Sequence, residues 1–128
     1  MLIGLAPALV HRLSFNDEPV LAMSLDRTAR RCVLGLTGAV INPDFVLDGV
    51  RVEISSWVTM EIALHMEAGS SRVLEDLPAE LATVDEFDVQ RSQVRLGGFL
   101  NQAGGWCELT FQQPKLQVLY GSRRLTSA

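Results

Sequence analysis

The side chains able to carry proton chemistry lie in two places. His65 stands between Glu61 and Glu67 in a run that alternates bulky apolar and smaller or polar residues. In an extended chain, residues two apart share a face, so Glu61, His65 and Glu67 come out together. If that face lines a cavity, Glu61 or Glu67 can orient the imidazole for acid–base work; if it meets water, His65 is a surface histidine. The second place is an acidic block. Residues 73–90 hold six acids, Glu75, Asp76, Glu80, Asp85, Glu86 and Asp88, and no basic residue. Two carboxyls held across a groove can act as acid and base. Nothing around these six marks them as buried, so the expectation is a solvated or partner-facing surface.

Other chemistries are excluded by spacing. There is no Cys-x-x-Cys and no His-x-x-x-His, and His11, Cys32, His65 and Cys107 are scattered along the chain. The run Asp85-Glu86-x-Asp88 lacks the spaced oxygens and glycine of a calcium loop. No metal site and no cofactor is expected. Neither Gly97-Gly98 nor Gly104-Gly105 precedes a Lys-Ser or Lys-Thr, so they read as a bulge or edge and a turn, not phosphate cradles. Ser55-Ser56 and Ser70-Ser71 lie outside any Gly-x-Ser-x-Gly elbow, and no catalytic residue is assigned. Arg27, Arg30 and Arg31 share one turn, and Arg123 and Arg124 lie near the end, but no aromatics interleave with them. With 15 acidic against 11 basic side chains and a net charge of −4, nucleic acid is not an expected partner. An acidic surface suits a basic protein instead. Cys32 and Cys107 each sit in an alternating apolar run and read as buried free thiols, although one bridge is arithmetically possible.

The elements that would position these residues are strands. Residues 20–25 and 31–37 alternate and flank a polar, basic connection, which predicts a hairpin with Leu21, Met23 and Leu25 on one face and Cys32, Leu34 and Leu36 on the other strand's inner face. Asn42-Pro43-Asp44 and Asp48-Gly49 read as turns. Val50, Val52 and Ile54 alternate with Arg51 and Glu53. In residues 57–67 a strand would gather Val58, Met60, Ile62, Leu64 and Met66 on one face, whereas a helix would scatter them. Residues 76–82 suit a short helix, with Pro78 and acids in its first turn. Further strands are expected at 83–89, 94–98, 106–111 and 116–120, followed by a frayed basic tail from Gly121. No βαβ unit has room for its crossover helix, so pairing should be antiparallel. The expectation is one strand-rich domain over residues 1–128, mainly β: an antiparallel sandwich or partly closed barrel with at most one or two short helices.

An apolar fraction of 48% over 128 residues is enough for a core without metal or disulfide staples. The apolar first ten residues lack a leading basic residue and a small-residue cleavage site, and no run is long enough to span a bilayer. A cytoplasmic monomer or small homo-oligomer, with no membrane association, is the expectation.

The stretch Leu13-Ser14-Phe15-Asn16-Asp17-Glu18-Pro19-Val20-Leu21, followed by Ser24-Leu25-Asp26, resembles the opening of small bacterial strand-rich families that include immunity proteins of polymorphic toxin systems. In those families a Phe-His-Asp or similar motif precedes the first hairpin; here Asn16 stands at the histidine position. The final strand ending in Tyr120-Gly121 is similar to their closing strand. The resemblance covers about a third of the chain. It implies a cytoplasmic, non-enzymatic inhibitor that binds a basic toxin such as a nuclease, with residues 75–88 as its contact surface. The alternative from the residues themselves is a small enzyme or ligand-binding β-barrel whose pocket holds His65, Glu61 and Glu67.

Overall fold

The alternating segments become strands, and every strand pairing is antiparallel. The computed structural model describes residues 1–43, 45–66, 69–101 and 105–125. In chain order these carry β1 (Ile3–Gly4), a 3-10 helix (Pro7–Arg12), β2 (Leu13–Ser14), β3 (Glu18–Asp26), β4 (Arg31–Ile41), β5 (Phe45–Ser55) and β6 (Thr59–His65). Then follow β7 (Ser71–Leu74), β8 (Thr83–Val84), β9 (Glu86–Gln90), β10 (Gln93–Phe99), β11 (Trp106–Gln112) and β12 (Lys115–Leu125). One sheet has the order β1-β12-β5-β4-β3-β8, with β2 also on β4; the other runs β7-β6-β11-β10-β9. The fold is mainly β, with two sheets, one short 3-10 helix and no closed barrel.

Side-chain alternation explains why the sheets stack. Cys32, Leu34 and Leu36 of β4 and Val50, Val52 and Ile54 of β5 are buried against Ile62, Leu96, Leu109 and Phe111 of the second sheet. Trp57, ahead of β6, packs its ring 4.9 Å from that of Phe111. Each such buried side chain contributes about 1.5–3 kcal/mol through removal from water. Both cysteines are buried and free. Burial alone pushes the Cys32 thiol up to about 12, and burial is also the main cause that raises Cys107 to about 11. No helix among the described residues is long and apolar enough to cross a membrane.

The hairpin of β3 and β4 forms as expected, but its faces differ. A register shift between Val20 and Ala22 turns Leu21 outward, so Val20, Met23 and Leu25 pack on the core and Leu21 is exposed. One extra residue in a strand inverts the alternation beyond it, which periodicity in the sequence does not reveal. A second inversion occurs at Asp48-Gly49, which is not a turn. Gly49 takes φ +67° in the middle of β5, and the ladders to β4 and β12 continue on both sides. Buried positions change from Leu47 to Val50 across it, so one long strand serves the core with both halves. β6 keeps the expected strand form, although Val58 and Met66 fall beyond its ends and are exposed.

The helix expected over residues 76–82 does not form. Its backbone donors and acceptors are taken by two neighbours: Val20 N–H donates to Ala82 O (2.9 Å), Ala82 N–H to Phe99 O (2.7 Å), and Asn101 N–H to Glu80 O (2.8 Å). These bonds, at Glu80 and Ala82, withdraw the backbone groups of the last turn from helical use, and the chain bends at residues 75, 76, 78 and 79 instead. This segment links the sheets at one edge, because β8 pairs with β3 while Asp85 N–H donates to Gly97 O (2.9 Å) on β10. Gly97-Gly98 is therefore not a bulge but lies within β10: Gly97 pairs with both β9 and β11, and Gly98 pairs with β11 beneath the crossing segment at Thr83. A Cβ on Gly98 would lie 1.8 Å from Thr83 O, so only glycine admits the crossing chain. The expected tail from Gly121 is also structured: β12 stays paired to β5 as far as Leu125 opposite Phe45. Arg124 pairs with Asp48 at 3.4 Å and Arg123 lies 4.9 Å from the centroid of Phe45, which holds this stretch in place.

Candidate interaction face

Register decides which side chains meet on the outside of the second sheet. The even residues of β11 and β9 and the odd residues of β6, β7 and β10 all point away from the core. They form rows across the strands. The first row is Ser71, His65, Trp106 and Phe99. The second is Val73, Ala63, Glu108, Gly97 and Glu86. The third is Glu61, Thr110, Arg95 and Asp88, and the fourth is Thr59, Gln112, Gln93 and Gln90. The face thus passes from aromatic through charged to amide.

Its aromatic end is built on Gly97. The Trp106 indole lies over that residue, where a Cβ would stand 2.7 Å from Cζ2. Phe99 meets Trp106 edge to face at 5.2 Å between centroids and remains half exposed. Such a pair is worth about 0.5–1.5 kcal/mol beyond area burial, and it holds the indole rigid. Val73 is exposed one row away.

The charged centre is a chain of ion pairs. Glu108 lies between His65 Nε2 at 3.4 Å and an Arg95 guanidinium nitrogen at 3.3 Å, and Arg95 approaches Asp88 at 4.0 Å. Gln90 Nε2 donates to Asp88 Oδ2 (3.0 Å), and Gln112 Nε2 donates to Gln93 Oε1 (3.0 Å). Ionic and amide pairs of this kind, all cross-strand except Gln90–Asp88 within β9, each add a few tenths of a kcal/mol at a wet surface. Four carboxylates, Glu61, Glu86, Asp88 and Glu108, stand against one arginine, so the face is acidic.

The residues singled out from the sequence divide accordingly. His65 and Glu61 lie on this outer face, and the carboxylate that reaches His65 is Glu108, from the neighbouring strand. Glu67 lies outside the described residues. Of the six acids, Glu86 and Asp88 stand on the face, on β9. Glu75, Asp76 and Glu80 are exposed on the connection from β7 to β8. Asp85 turns to another task. Its Oδ1 accepts the Asp17 N–H at 2.8 Å, and its Oδ2 lies 3.4 Å from the Thr83 hydroxyl. The facing Asp85 carboxyl raises the Asp17 pKa above the ordinary carboxylate value, first through a side-chain hydrogen bond and then through like charge. Among the described residues no three His, Cys, Asp or Glu side chains form a metal-binding group.

The basic turn is occupied internally. Arg27 donates to the Glu75 carbonyl, Arg30 to the Trp57 carbonyl at 3.1 Å, and Arg31 pairs with Glu53 at 3.6 Å. Arg27 and Arg30 tie the β3–β4 connection to the chain at and ahead of the second sheet, whereas Arg31 pairs within the first.

Trp106, Phe99, Arg95 and Glu108 were not singled out from the sequence. Their signal was available in the alternation of residues 106–112, where Cys107, Leu109 and Phe111 claim the core and Trp106 and Glu108 must face out. No family model, curated protein or solved structure matches this chain.

Proposed function

We propose that this chain is a non-enzymatic binding protein that occludes a basic partner, in the manner of an immunity protein or antitoxin, and that the outer face of the β7-β6-β11-β10-β9 sheet is its contact surface. The observation that supports this reading is the register that sets the edge-to-face Trp106–Phe99 pair beside an acidic row whose Glu108 meets Arg95. Tryptophan and arginine are the side chains that most often dominate binding energy, and acidic neighbours speed encounter with a cationic protein. The five strands, of four to seven residues, give a platform of roughly 20 by 24 Å at its widest. With its flanking connections, that approaches the roughly 800 Å² per partner of a standard interface. The toxin and the cytoplasmic setting belong to this proposal, as does the net charge of −4 that would draw a basic nuclease.

The test is co-expression with the product of the reading frame adjoining this one, followed by calorimetry and stopped-flow association on the purified pair. Trp106→Ala is expected to weaken affinity about thirtyfold, corresponding to about 2 kcal/mol. Glu86→Lys with Asp88→Lys is expected to slow association about tenfold at low salt, with the difference shrinking at high salt. Affinity unchanged by Trp106→Ala removes this face as the contact surface. A partner bound equally well by all variants moves the search to the connection carrying Glu75, Asp76 and Glu80.

A further inference from the structure

A cleft of about 740 Å³ opens at one end of the sandwich, between the 3-10 helix, the β9–β10 turn and the start of β12. We infer that it is a binding site for a small amphipathic carboxylate, an apolar body carrying a single anionic head. Three observations converge on that class.

The first is size, since about 300–1,000 Å³ is the range of small-molecule sites. The second is the arrangement of polarity. Leu5, Val10, Val89, Val94, Leu116 and Val118 supply the apolar lining. Gln90, Gln93, Gln113 and Gln117 supply neutral amides. Among the described residues the lining has no carboxylate, although the chain has 15 acids. The third is charge. The cations of the cleft are Arg91, at the β9–β10 turn, and His11 when it is protonated. Arg91 is exposed and has no ion-pair partner among the described residues, unlike Arg31, Arg51, Arg95 and Arg124. An unpaired guanidinium over an apolar, acid-free hollow selects an anion, and two parallel N–H bonds favour the planar carboxylate.

The walls are preorganised. His11 Nδ1 is 3.1 Å from the Val89 carbonyl, which holds the 3-10 helix to β9 across the cleft. Gln113 N–H donates to Ser92 O at 2.6 Å, joining the β11–β12 and β9–β10 turns. Leu5 N–H donates to Val118 O at 2.7 Å and holds the chain beyond β1 against β12. A ligand would meet a formed site and need order little of the chain. The cleft is distinct from the outer face of the second sheet and does not depend on that face having a partner.

The test uses decanoate and decanol as probes on the intact chain, below their aggregation limits, followed by methyl and amide NMR shifts. Decanoate is expected to shift Val10, Val94 and Val118 along one saturable curve, and decanol to bind at least tenfold more weakly. Arg91→Gln, at an exposed turn, is expected to weaken decanoate about tenfold and leave decanol unchanged. Ala6→Trp fills the cleft from its rim and is expected to abolish saturable binding at an unchanged urea midpoint. Equal binding of acid and alcohol, indifference to Arg91→Gln, survival of binding in a folded Ala6→Trp chain, or shifts spread over both sheets would each overturn the inference.

Discussion

Replacing Gly98 by alanine should separate the two sheets along the edge where they are joined. The added Cβ would stand 1.8 Å from Thr83 O and 2.8 Å from Thr83 C, and both are backbone atoms that cannot swing aside. Relief requires the segment at β8 to move off β10. That movement breaks the Ala82-to-Phe99 bond of 2.7 Å and the Asp85-to-Gly97 bond of 2.9 Å, and loosens Leu81 and Val84, both buried. Two backbone bonds are worth about 1 kcal/mol each, and disturbed packing adds about 1–3 kcal/mol, for a total of about 3–5 kcal/mol. In urea, with a slope of about 2 kcal/mol/M for a domain of this size, the midpoint should fall by about 2 M. The melting temperature should fall by about 10 °C or more. Gly35→Ala is the control, because its nearest atoms, Ala22 N and O, are 4.0 Å away; it should stay within about 0.5 kcal/mol of the natural chain. Neither glycine has a positive φ, so any difference between the two reports contact and not backbone strain. A Gly98→Ala chain as stable as Gly35→Ala would refute the crossing of β8 over β10.

Four other outcomes follow from the core and the carboxyls. Phe111→Ala should cost about 3–5 kcal/mol in chemical denaturation, since its ring is fully buried and stacks on Trp57. Cys32 and Cys107 should ignore a thiol reagent such as dithionitrobenzoate at pH 8 in the native chain and both react in denaturant, because burial shields both thiols and raises them further above the assay pH, which cuts the reactive thiolate. The same shift sets a pH dependence. Cys32 moves from 9.0 to about 12 on folding, so its contribution is intact below pH 9. It then falls by about 1.4 kcal/mol per pH unit as the unfolded thiol ionises and the folded one does not. Cys32→Ala should remove that part of the fall, about 0.7 M in urea midpoint per pH unit above pH 9 at a slope of about 2 kcal/mol/M. Finally, Asp85→Asn keeps the oxygen that accepts the Asp17 N–H but removes the charge, so the Asp17 carboxyl, followed by carbon NMR, should titrate lower than in the natural chain.

Most strands, their antiparallel pairing and most of the core were legible from residue order, although β7 was not expected and the strand expected over 83–89 is divided into β8 and β9. Alternation is a local property, and Cys32, Leu34, Leu36, Val50, Val52, Ile54, Cys107, Leu109 and Phe111 carried it without interruption into the buried layer. Wherever one residue broke the rhythm, local reading failed. The bulge at Leu21 and the left-handed Gly49 each inverted the faces beyond them, and neither has a side-chain pattern that announces it. Residues 76–82 carry helix signals, yet β3 and β10 compete for the same backbone groups and win, because both strands are already held in place by the core.

The candidate face shows the same division. That His65, Glu61, Glu86 and Asp88 would point outward follows from parity within each strand. That they share one surface, with Trp106, Phe99, Arg95 and Glu108 between them, was decided by strand order and register across β6, β11, β10 and β9. Within an unbroken run, chain order determines which residues share a side of their strand; long-range hydrogen bonding determines their neighbours, because pairing partners are chosen by how the whole hydrophobic set packs.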